Sequence, residues 1–186
     1  MPAIVGQLDQ LVVLVVCTGN AARSVMAGYM LERLAARRGV PLEVVTAGTH
    51  ALDGQPMSTR TFAALGTIPA LAGVAASAHR SHQLASCDVA AADLVVAMEA
   101  GHVRFVRRHH PAAAARTGTI RRLAAELGPG PTPLVGLTER LDALALAEVA
   151  LSEGDDVADP AGKDDACYAA CAAELWVLCG ELVARL

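Results

Sequence analysis

The stretch Leu11-Val12-Val13-Leu14-Val15-Val16-Cys17-Thr18-Gly19-Asn20-Ala21-Ala22-Arg23-Ser24 decides the fold. Its first six residues are aliphatic without polar alternation, which predicts a short strand buried on both faces, the usual centre of a parallel sheet. From Arg23 to Arg38, Val25, Met26, Tyr29, Met30 and Leu34 recur at helical spacing, and Gly39 and Pro41 stop the helix. Working outward, Leu42 to Thr46 predicts a second strand, Ala47 to Thr49 a loop, and Met57 to Leu65 a helix. Asp93 to Met98 predicts another buried strand, followed by a helix from Gly101 to His110. Strand and helix alternating at this spacing indicate an α/β domain with a parallel sheet. Beyond it, Ala112 to Leu127 reads as helical and the Gly/Pro stretch 128–133 as a loop or linker. Thr138 to Leu151 reads as a helix capped by Thr138. Asp164 to Leu186 reads as another, capped by Asp164 or Asp165 and carrying Leu175, Trp176, Leu178 and Leu182. No internal repeat is visible.

The 186 residues point to a single domain, 1–186, with a sizeable core. Hydrophobic residues make up 54%, but 39 of them are alanine, so that core is built from small side chains. Phe62, Phe105, Tyr29, Tyr168 and Trp176 are the only aromatic residues, too few for base-stacking platforms. A net charge of −4 likewise speaks against a broadly cationic nucleic-acid surface. Mean hydropathy is positive, yet the longest apolar run, Leu11 to Cys17, is seven residues, against the ~20 of a spanning helix. No Lys or Arg precedes that run, and Asp9 lies where an export signal would be positive. Five cysteines, an odd number thinly spread, read as reduced thiols. The expectation is a cytoplasmic domain with no membrane or nucleic-acid partner.

Between the strand and the helix, a cysteine and an arginine separated by five residues have a specific physical use. A loop from Thr18 through Gly19, Asn20, Ala21 and Ala22 to Arg23 and Ser24 can turn successive backbone N–H groups into one concavity. Gly19 permits a positive φ and close backbone approach, and Asn20 tolerates the left-handed region. Cys17 then lies at the floor of an anion cradle, with Arg23 offering a bidentate fork to two phosphate oxygens. The helix terminus, the loop amides and Arg23 are the partners a nucleophilic thiolate needs, and Ser24 adds a hydroxyl. The loop lacks the lysine of a nucleotide-binding phosphate loop. A phosphotransfer nucleophile also needs a proton donor for the leaving oxygen. Asp159-Pro160 is the best candidate, since Pro160 keeps Asp159 extended. Asp155 and Asp156 satisfy the spacing equally.

With these residues in place, the sequence resembles the low-molecular-weight protein tyrosine phosphatases. Cys17 to Ser24 is similar to that family's phosphate loop, and Asp159-Pro160 to its general-acid motif. Thr46 to Thr49, Gly54 to Met57, His79 to Leu84 and Asp93 to Met98 add further likeness, over residues 11–110 and 156–186 in all. The resemblance implies a three-layer α/β/α fold around a parallel four-stranded sheet. It implies that Cys17 attacks phosphorus to form a phosphocysteine, that Arg23 and the loop amides hold the oxygens, and that Asp159 acts as acid and then base. Asn20 and His79 would brace the loop. No metal or cofactor is implied, and inorganic phosphate or sulfate is expected to occupy the cradle. The implied substrate is a phosphoprotein, phosphotyrosine first, or a small phosphate ester, and the implied state is a monomer or weak homodimer.

Three departures qualify that resemblance. Ala22 stands where the family carries a second loop cysteine, so a protective disulfide is not expected. Leu52 and Ala161, with Gly162, stand where the family places pocket aromatics, which removes stacking area for a tyrosine ring. Residues 111–155 run longer than expected and form an atypical insert. His50 borders the expected pocket and, with Leu52 and Ala161, makes up its rim. Phosphoarginine hydrolysis, a catalytically weak phosphate-binding module and arsenate reduction are alternatives, the last needing a resolving thiol that only Cys87 offers mid-chain. Cys167, Cys171 and Cys179 read as core filler rather than a metal site. Arg104, Arg107, Arg108, His109 and His110, joined in sequence by Arg116, Arg121 and Arg122, read as a solvated helix face or a docking patch for an acidic phosphoprotein. His102 has no identifiable role.

Overall fold

A computed structural model describes residues 10–73, 78–130 and 136–186. Four strands form one wholly parallel sheet: β1 (Leu11–Cys17), β2 (Leu42–Gly48), β3 (Leu94–Ala97) and β4 (Thr117–Thr119). Their order is β2-β1-β3-β4, so β1 and β3 lie at the centre and the chain reverses direction across the sheet between them. The predicted buried strand is central because Leu11, Val13 and Val15 feed one core while Leu14 and Val16 feed the other. Each aliphatic side chain so buried contributes about 1.5–3 kcal/mol.

Helices α1 (Arg23–Arg38), α2 (Thr59–Gly66), α5 (Ile120–Glu126) and α7 (Asp165–Val183) build the larger core on one face. Helices α3 (Ser86–Ala91) and α4 (Ala100–His109) cover the other, giving the expected three layers. By length and composition α7 could cross a membrane, yet Leu175, Cys179 and Leu182 are fully buried in the core, as in a core helix of a folded domain. Asp164, not Asp165, caps it through the Cys167 amide.

Three expectations require correction. Ala112 to Leu127 is not one helix: a 3-10 turn at Pro111–Arg116 leads into β4, and only Ile120–Glu126 is α-helical. Helix propensity in the alanine run lost to pairing of Thr117–Thr119 with β3, and Thr119 caps α5 through the Arg122 amide. The helix predicted for Thr138–Leu151 is confined to α6 (Leu137–Asp142), which starts on Gly136 in the left-handed region rather than on a Thr138 cap. After it, Arg107 on α4 takes the Leu146 and Val149 carbonyls, and Ala145 adopts a φ of 48°. Finally, α2 begins at Thr59 with Ser58 as its cap, not at Met57. Of the predicted loop 128–133, residues 131–133 lie outside the described residues.

Candidate active site

The site forms at the carboxyl ends of β1 and β3, where the sheet reverses, the usual position for a ligand crevice in open α/β sheets. Cys17 ends β1, and the loop to Ala22 crosses into α1, which has no side-chain N-cap and no acidic residue in its first turn. None of the backbone N–H groups of Thr18 to Ala22 finds an acceptor among the described residues. Unpaired amides beside a helix N-terminus make a ready anion cradle. The Cys17 sulfur lies 2.9 Å from the Ser24 hydroxyl.

The loop is held from three sides. Asn20, fully buried with φ 50°, donates to Ser24 Oγ at 3.0 Å and accepts the His82 amide at 2.9 Å. His79 Nε2 lies 2.8 Å from the Asn20 carbonyl, and burial lowers its pKa below the ordinary histidine value. Thr61 on α2 donates to the Ala21 carbonyl at 2.9 Å. The left-handed residue is therefore Asn20, not Gly19, because the asparagine side chain is held there by its bonds to Ser24 Oγ and the His82 amide. The essential glycine lies elsewhere: a Cβ on Gly48, at the end of β2, would meet the Thr18 carbonyl at 2.5 Å. That close approach lets the next two amides on the β2 side, of Thr49 and His50, donate to the Cys17 and Thr18 carbonyls, both at 2.9 Å.

Arg23 is the most buried cation near the loop, 2% exposed. One terminal nitrogen donates to Glu99 Oε2 at 2.6 Å and to the Val157 carbonyl at 3.1 Å. The other donates to Asp159 Oδ2 at 2.6 Å and, at 3.4 Å, to Thr18 Oγ1. Asp159 thus reaches the loop, while Asp155 pairs with Arg122 and Asp156 accepts the Ala100 amide. Its second oxygen accepts the Ala161 amide at 3.0 Å, which fixes the carboxylate on its turn. Leu52 is 77% exposed and Ala161 is exposed, so neither walls the cradle.

Sequence reasoning missed Glu99, Thr61 and His102. A charged residue directly after a buried strand, at the ligand-binding edge of the sheet, was a usable signal for Glu99. His102 is buried, with Nε2 3.0 Å from Thr18 Oγ1. Because Arg23 only donates, the Thr18 hydroxyl accepts from it, and the same hydroxyl meets His102 Nε2. Burial, outweighing the nearby Glu99 carboxylate, pushes the His102 pKa down to about 4. A neutral histidine in the fold that would charge when unfolded makes stability fall with pH between the ordinary value, 6.5, and about 4. His102→Gln should therefore lose less stability than wild type between about pH 7 and pH 4, by about 3 kcal/mol in denaturant titrations. Equal losses would show that His102 is not held neutral. Burial likewise pushes the Cys171 thiol up to about 12, with the Glu174 carboxylate adding to the rise and Arg23 opposing it. Among the described residues no His/Cys/Asp/Glu group is arranged to hold a metal ion.

A parallel sheet that delivers a buried thiol into an amide-lined loop, with an arginine closing it, defines a cysteine-dependent phosphoryl-handling enzyme. Within that class the chain belongs to the family described as low molecular weight phosphotyrosine protein phosphatase, whose sequence profile matches residues 12–127. It is thus a hydrolase of that type. Over 112 residues it is 35% identical to the probable low molecular weight protein-tyrosine-phosphatase EpsP of Ralstonia nicotianae, covering 60% of this chain and 69% of that one. Over 111 residues it is 35% identical to a protein-arginine-phosphatase of Geobacillus stearothermophilus, covering 59% and 69%. Among solved structures, the low molecular weight protein tyrosine phosphatase of T. tengcongensis superposes with a TM-score of 0.75 at 28% identity, over 95% of this chain and all of that one.

Proposed function

We propose that the protein hydrolyses phosphotyrosine in a protein substrate through a cysteinyl-phosphate intermediate. The arrangement that carries this reading is Arg23, which holds Asp159 beside the loop of unpaired amides above Cys17. The Cys17 thiolate attacks phosphorus in line, and the phosphorus–oxygen bond to the substrate breaks as the sulfur–phosphorus bond forms. The loop amides and Arg23 take the negative charge of the three remaining oxygens. Asp159 gives its proton to the departing phenolic oxygen. It then takes one from the water that attacks phosphorus and returns the thiolate and inorganic phosphate.

Asp159 occupies one arm of the fork that a phosphate would use. An entering dianion competes for Arg23 and displaces the carboxylate towards the leaving group. Asp159→Asn should therefore lower kcat/KM, which reports formation of the cysteinyl phosphate, by about 10²–10³-fold for phosphotyrosine, and less for an aryl ester whose phenol leaves without a proton. With that activated ester the phosphorylated form should accumulate in the variant, because its hydrolysis has lost the base, and appear in the intact-protein mass. A loss equal for both esters would remove Asp159 from the acid role.

A second reading, hydrolysis of phosphoarginine, is favoured by the similarity to an arginine phosphatase and by rim positions Leu52 and Ala161, which offer no aromatic ring. Comparing kcat/KM for peptides that differ only in carrying phosphotyrosine or phosphoarginine decides between them.

A further inference from the structure

The basic cluster of the sequence divides sharply in the structure. Arg107 holds the Leu146 and Val149 carbonyls, and Arg116 holds those of Ala92, Val89 and Ala112. Arg121 pairs with Glu174, and Arg122 with Glu126 and Asp155. Those four are structural. Arg104 and Arg108 are exposed on α4 and have no ion-pair or hydrogen-bond partner among the described residues. Between them in sequence lies Phe105, half-buried, with two rings packed on it. His50 meets it edge-on at 5.7 Å and His109 lies at 4.4 Å, tilted by 38°.

This surface adjoins the candidate active site. His50 donates its amide to the Thr18 carbonyl. His102 lies one turn before Phe105 on α4 and touches Thr18. Along a helix rising 1.5 Å per residue, Arg104 and Arg108 lie roughly 3 and 9 Å beyond His102, before their own side-chain reach is added. An extended peptide advances about 3.3 Å per residue, so residues some two to four places from the phosphorylated one fall opposite them. Helix α4 has three arginines and no acidic residue, in a chain whose net charge is −4.

We propose that the outward face of α4, with Phe105, His50 and His109 as a ring platform and Arg104 and Arg108 as free cations, docks acidic residues flanking the phosphorylated residue of a protein substrate. The proposal rests on the phosphatase reading above and names the kind of substrate it takes. The platform supplies flat apolar area beside the loop, and the two guanidinium groups pair with no carboxylate among the described residues. Exposed charges act mainly through steering and selection among partners, so the preference weakens as salt screens it.

The test is binding of fluorescent phosphotyrosine peptides to the full-length Cys17→Ser protein, followed by anisotropy, so that no turnover intervenes. One peptide carries glutamates on both sides of the phosphotyrosine and the other carries glutamines. The acidic peptide should bind about tenfold more tightly at low salt, and the advantage should shrink at high salt. Adding Arg104→Glu and Arg108→Glu should abolish or invert it, and Arg104→Gln with Arg108→Gln should leave an intermediate preference. Neither pair should change turnover of a small aryl phosphate by the Cys17 enzyme. No preference between the peptides, or a preference that survives charge reversal, overturns the proposal. An acidic preference in a protein that turns over no phosphate ester would strike the phosphatase reading and leave the docking surface standing.

Discussion

Cys17→Ser should lower hydrolysis of a chromogenic aryl phosphate on the order of 10⁴- to 10⁶-fold while leaving inorganic phosphate binding within a few-fold of wild type. The two halves of this expectation have separate origins. Turnover depends on the sulfur, because a serine hydroxyl keeps its proton where a thiol loses it, and an alcohol does not replace a thiolate as nucleophile. Binding depends on the backbone amides of Thr18 to Ala22 and on Arg23, none of which the substitution touches. The smaller oxygen keeps a partner in Ser24 Oγ, which lies 2.9 Å from the sulfur. Steady-state rates and a phosphate titration by calorimetry read the two halves independently. Turnover within tenfold of wild type would place the nucleophile elsewhere.

Arg23→Ala should lower kcat/KM on the order of 10³- to 10⁴-fold and weaken phosphate binding in parallel. Arg23 is the sole charged donor recorded on the loop, and it is also the cation shared by Glu99 and Asp159. Removing it leaves those two carboxylates facing the place an anion must enter, so binding suffers from repulsion as well as from the lost fork. Arg23→Lys separates these effects. It restores a charge between the carboxylates but not two parallel N–H donors, and should recover no more than about tenfold of the loss. Full recovery with lysine would show that charge alone suffices and that the fork is not used.

The loop was legible because everything it needs lies within eight consecutive residues. A buried aliphatic strand, a Gly-Asn turn and a helix start place Cys17 and Arg23 on one concavity wherever the rest of the chain goes. The reading erred where two local solutions compete. Either Gly19 or Asn20 could have taken the left-handed conformation, and Asn20 took it because its side chain reaches His82, 62 residues away. Alanine-rich 111–127 favours helix locally, but the sheet had an open edge beside β3, and three residues of the segment paired there.

Spacing alone does not separate Asp155, Asp156 and Asp159; Pro160 and the family resemblance favour Asp159. In the structure Arg122 takes Asp155, the Ala100 amide takes Asp156, and only Asp159 of the three meets Arg23 among the described residues. The same holds for the second layer of the site. Glu99 and His102 meet Arg23 and Thr18 across 76 and 84 residues, through the parallel pairing of β1 with β3. The basic run on α4 looked uniform in sequence, yet tertiary contacts consumed Arg107 and left Arg104 and Arg108 with no partner among the described residues. By itself the sequence determined the α/β class and the Cys17–Ser24 loop with its arginine, because these follow from local periodicity and a short motif. Only the tertiary structure decided which carboxylate reaches that arginine, what braces the loop and which cations remain for a partner, because each depends on contacts between segments far apart in the chain.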